Sequence, residues 1–73
     1  MLRTDALITR LAAEGVQTNP AALDNLATQA RAQGVSEILV AIMTDATAPI
    51  APRVRAFGRV SSRVALRTAA AAS

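Results

Sequence analysis

The chain has 73 residues and is 52% hydrophobic but only 1% aromatic, with eight basic and five acidic residues, no His, no Cys and a net charge of +3. This length allows one domain, and the lack of Cys excludes a disulfide framework. Eighteen hydrophobic residues are Ala and Phe57 is the single aromatic, so the core is thin for the entropy it must offset. Self-association or docking on a larger partner is the expected remedy.

Residues 2–14 read as a first helix, because Leu7, Ile8, Leu11 and Ala12 form one apolar stripe. Arg10 and Glu14 are four apart and can pair. Gly15 ends the segment, with Val16 placed to fold back on it. The second helix is expected over residues 20–33. Asn19 suits the N-cap, and Pro20 suits the first helical position, where no amide donor is needed. Leu23, Leu26, Ala27 and Ala30 make its inner face, and Gly34 supplies the left-handed residue that closes it, with Val35 as its hydrophobic contact.

Residues 36–47 admit two readings. Ser36 can cap a helix with Ile38, Leu39, Ile42, Met43 and Ala46 at helical spacing, which is the favoured reading. Val40 and Ala41 leave this element little polar surface. The alternative is a short strand at 37–43, with Ile38, Val40 and Ile42 on one face. Residues 48–52, Ala-Pro-Ile-Ala-Pro, read as a hinge, with Pro52 opening the last helix. From Arg53 to about Ala71 a long helix is expected, weakened at Gly58, Ser61 and Ser62. The expected fold is therefore all-α: a single domain over 1–73, a bundle of three to four short helices with a basic C-terminal helix after the hinge at 48–52. The strand at 37–43 would make it α+β.

The residues that enzymes use at neutral pH are missing. Without His, Cys, Lys or Tyr there is no ordinary proton shuttle, Ser–His or Cys–His nucleophile, or Schiff base. The carboxylates Asp5, Glu14, Asp24, Glu37 and Asp45 are never three or four residues apart. Zinc ligands and clustered acids for a hard cation are absent, and Gly15, Gly34 and Gly58 form no phosphate loop. The expectation is a non-enzyme with no cofactor, no metal and no small-molecule substrate. The N-terminal residues lack a signal-peptide pattern, and the longest apolar run, 38–43, is far shorter than a membrane span, so a cytoplasmic protein is expected.

Charge divides the chain unevenly. Residues 1–52 hold three Arg against five acids, whereas residues 53–73 hold five Arg and no acid. Arg55, Arg59, Arg63 and Arg67 stand at successive i+4 steps, a ridge about 18 Å long on a helix. They border a stripe of Val54, Phe57, Val60 and Val64, with Arg53 closer to that stripe. The stripe is the candidate partner-binding surface and the ridge a candidate anion or nucleic-acid contact. A solvated Arg edge beside an ordinary core stripe is the plainer interpretation of the same pattern, and Phe57 reads as a core anchor. A helix-turn-helix over 26–45 is disfavoured, since the second helix would offer Glu37, Ile38, Ala41 and Ile42 with no Arg, Asn or Gln to read a base edge. The leading expectation is a small regulatory or accessory protein that binds a protein partner, acting as a homo-oligomer. A DNA-binding regulator using the Arg ridge comes next, then a structural subunit or adaptor of a larger assembly. An anionic membrane surface is a weaker candidate.

Overall fold

Helix-stop signals divide the molecule into four helices. A computed structural model describes residues 4–72 and the side chains of 6–70. It contains α1 (Thr4–Glu14), α2 (Pro20–Ala32), α3 (Glu37–Thr44) and α4 (Ile50–Ala72), with no strand among the described residues. The first helix was expected from residue 2; residues 2 and 3 lie outside the described part, as does Ser73.

Each short helix is closed by backbone geometry that its sequence specifies. Gly15, at φ 94°, ends α1 and donates its amide to Leu11 O at 2.8 Å. The Asn19 side chain caps α2 by accepting from Ala22 N at 3.1 Å. At the other end Gly34, at φ 76°, donates to Arg31 O, and Val35 donates back to Ala30 O. This paired closure needs a left-handed residue and leaves Val35 packed into the core. Ser36 stands at the N-cap of α3 without a side-chain cap bond.

The segment at 36–47 is helical over Glu37–Thr44, and Val40 and Met43 are its buried residues. Burying one side only suits a helix here, since no neighbouring strand is present to pair a lone extended segment. The hinge is shorter than expected. Residues 50–52 belong to α4, so Pro52 lies inside its first turn and does not open it at the first position. That position tolerates proline because first-turn amides have no carbonyl acceptor within the helix. The reversal itself is made by Asp45, whose Oδ1 accepts from both Thr47 N (2.9 Å) and Thr47 Oγ1 (2.6 Å), while Ala48 N donates to Asp45 O.

The core joins Leu7 and Leu11 of α1, Leu23, Leu26, Ala27 and Ala30 of α2, Val40 and Met43 of α3, and Ala56, Phe57, Val60 and Val64 of α4. The two long helices α2 and α4 each touch all three others, and α3 packs most extensively on α4. The chain closes at a radius of gyration of 11.2 Å, about the value expected for a folded domain of this length. From Ala65 to Ala70 every α4 side chain is exposed, so the last turns of α4 run past the core.

Two expectations follow. Gly58 is helical, and a Cβ added there meets nothing within 4 Å, whereas Gly34 has a left-handed φ. Urea unfolding should show Gly58→Ala more stable by about 0.5–1 kcal/mol and Gly34→Ala less stable by about 1 kcal/mol. The Thr47 hydroxyl and amide hold the Asp45 carboxyl below its ordinary value. A lowered folded pKa contributes stability above the unfolded pKa that is lost as pH falls through the folded one. In an NMR titration, Thr47→Val should move the Asp45 midpoint upward, short of the ordinary value because the amide bond persists.

Candidate functional site

Helix α4 sorts its residues by angle around the axis. Phe57, Val60 and Val64 are buried in the chain's own core, which corrects their assignment as a partner-binding surface: their apolar area is already used by α1, α2 and α3. Val54 is 49% exposed. It falls off the stripe because Arg53, three and four residues before Ala56 and Phe57, takes the inward position in the first turn.

Arg53 is the inward-facing residue that the stripe pattern hides. It is only 7% exposed, and its Nε donates to Met43 O at 3.2 Å. The bond satisfies one of the last carbonyls of α3 and sets a cation at that helix's negative end. Its aliphatic stem fills the apolar position that Val54 was expected to occupy. Arg53 also lines a cleft of ≈ 230 Å³ together with Val16, Leu23, Asp24 and Thr44.

The four-residue spacing of the Arg ridge does not keep it on one line. Each i+4 step turns about 40° further around the axis at 3.6 residues per turn, so Arg67 points about 120° away from Arg55. The structure shows the result. Arg67 swings toward α2 and donates Nη1 to Gln33 O, the carbonyl of the α2 C-cap. Arg55, Arg59 and Arg63 are exposed and form no ion pair with any described residue. The ion pairs among described residues lie elsewhere, at Arg10–Glu14 (3.2 Å) and Arg31–Glu37 (3.3 Å). The expected anion-contact set is thus three free guanidiniums and one that ties two helices together.

Beside the free guanidiniums lies the apolar surface that the core leaves uncovered. α3 runs antiparallel to α4, as the contacts of Arg53 with Met43, near the end of α3, and of Arg67 with Gln33, four residues ahead of α3, require. Between them a shallow groove of ≈ 320 Å³ has Leu39, Ile42, Pro52 and Ala56 as its floor and Arg55 and Arg59 as its α4 edge. Ile38, next along α3, is 73% exposed. The sequence carried one sign of this surface: α3 has too few polar residues to cover its outer side. The expected α3 stripe of Ile38, Leu39, Ile42, Met43 and Ala46 is rotated in the structure: Val40 and Met43 are buried, while Ile38 and Ala46 are exposed. No three carboxylates converge among the described residues, and no helix is long and apolar enough to cross a membrane.

Arg53→Ala should lower stability by about 1–3 kcal/mol, since it strips a buried carbonyl of its donor and removes packed methylenes. Arg55→Ala should stay within about 0.5 kcal/mol of the parent. Urea unfolding of the two variants side by side checks the ordering; equal losses would mean that Arg53 is not the α3 anchor.

Comparisons with protein-family models, with characterised proteins and with solved structures find no match to this chain.

Proposed function

We propose that the chain is a small regulatory or accessory protein that acts by binding a protein partner, without catalysis, through the outer surface of α3 and α4. The observation that supports this reading is the pairing of the exposed Ile38 and the half-buried Leu39 and Ile42 with the free Arg55 and Arg59 at the groove edge. Aliphatic surface left on a small domain whose own core is filled is characteristic of an interface. Arginine beside it adds orientation through bidentate bonds to carboxylates. A second copy of the chain is one protein that such a surface can meet, which keeps the homo-oligomer within this reading.

A second reading has its own support. Arg55, Arg59 and Arg63 are spaced along about 12 Å of helix with no acid beside them in the sequence, which suits a phosphate backbone. The α3 surface argues against sequence-specific recognition, because its exposed residues Glu37, Ile38 and Ala41 include no side chain that reads base edges well.

Two measurements separate the readings. Affinity capture from nuclease-treated extract, with the chain and its Ile38→Glu variant as baits, should return a protein that binds the parent directly once purified and loses that binding with the variant. Fluorescence anisotropy against mixed duplex DNA should show weak binding that vanishes near physiological salt. Micromolar binding that persists there and drops in Arg59→Ala/Arg63→Ala would transfer the function to DNA.

A further inference from the structure

We infer that the α3–α4 groove receives an acidic amphipathic helix of the partner protein; this rests on the protein-binding reading above and names the chemistry of its occupant. The groove is open and shallow, its floor aliphatic, and its cations stand along one edge only. An enclosed small molecule needs walls on several sides. A helix needs only a trough for one apolar side and a partner for the flank next to it.

The edge has one helical step. Arg55 and Arg59 are four residues apart, about 6 Å along the axis. A helix laid along the trough presents carboxylates at i and i+4 with the same rise. Each guanidinium then meets one carboxylate while Leu or Ile residues on the neighbouring side fill the space over Leu39, Ile42 and Ala56. Neither Arg55 nor Arg59 is paired with an acid among the described residues. The fit is one of charge and period together.

Other occupants match less of this surface. A second copy brings Asp5, Glu14, Asp24, Glu37 and Asp45, no two of which are three or four residues apart, so no helix of this chain offers a row of carboxylates. A nucleic-acid backbone engages the guanidiniums and leaves the aliphatic floor uncovered. The one aromatic residue, Phe57, is buried and gives bases nothing to stack on.

The test uses the full chain and a fluorescein-labelled 18-residue helical peptide with a Leu stripe flanked by Glu at i+4 steps, plus versions with Glu changed to Gln or to Lys. The Glu peptide should bind at low salt, with amide shift changes centred on Ile38, Leu39, Ile42 and Ala56 in NMR spectra. Arg55→Glu/Arg59→Glu, both exposed and expected to fold, should weaken the Glu peptide about tenfold or more and bind the Lys peptide instead. Ile38→Ser should weaken the Glu and Gln peptides alike, as loss of the aliphatic contact requires. Equal binding of the Glu, Gln and Lys peptides by the parent would overturn the acidic occupant and leave a protein-binding groove. Failure of every peptide, with the chain dimeric by light scattering and monomeric as Ile38→Glu, would overturn it in favour of a second copy. Failure of every peptide with persistent duplex DNA binding would overturn the protein-binding reading as well.

Discussion

Met43 carries its side chain into the core and its carbonyl to Arg53, and that double use ties α3 to α4. An eight-residue helix has too few internal hydrogen bonds to hold its shape in water. Its form therefore depends on what it packs against and on how its terminal carbonyls are met. α4 supplies both needs. Its aliphatic row receives Val40 and Met43, and its first-turn Arg53 meets the carbonyl. α2 touches α3 as well, so the short helix is held from two sides, most extensively by α4.

The composition explains how so few large side chains close a core. Ala22, Ala27, Ala30 and Ala56 are buried where α2 and α4 face their neighbours. Small residues let helix axes approach toward the near end of the usual 8–10 Å range. Leu7, Leu11 and Leu26 then fill the remaining space from the facing helices. Such packing draws little free energy from each residue, so satisfied helix ends weigh heavily in the total. Asn19, Gly34 and Arg53 each meet a terminus that would otherwise be left open.

The parts of the fold legible in the sequence were those written in short-range stereochemistry. Asn19-Pro20 and Gln33-Gly34-Val35 mark the two ends of α2, because capping depends on residues within one turn of each other. The inner row of α4 was visible as a period. What the row faces was not, since a period fixes which residues share a side and leaves open whether their cover is internal. Phe57, Val60 and Val64 turned out to be covered by the chain itself. Arg53 was obscured for a related reason: hydropathy treats an arginine as outward, while its stem and one donor made it the better inward residue beside the carboxyl end of α3. The uncovered side of α3 was hinted at by its excess of aliphatic residues. The groove depends on Leu39 and Ile42 meeting Pro52 and Ala56 across helices, which no local pattern encodes. The start of α4 at Ile50, ahead of Pro52, was hidden because proline in a first turn and proline in a loop look alike in sequence.

Arg53 and Arg67 grip the carbonyls of Met43 and Gln33, so they act as the two jaws of a caliper closed on the segment between. The jaws are set fourteen residues apart on one rigid rod, about 21 Å along its axis. The exposed residues between them can change in type with little effect on that span. Adding or removing a single residue between them would shift one jaw by about 1.5 Å and swing it through about 100°, away from its carbonyl. The stretch from Val54 to Leu66 is thus fixed in length as well as in its core positions Ala56, Phe57, Val60 and Val64, a constraint on how this chain can diverge that side-chain burial alone would not impose.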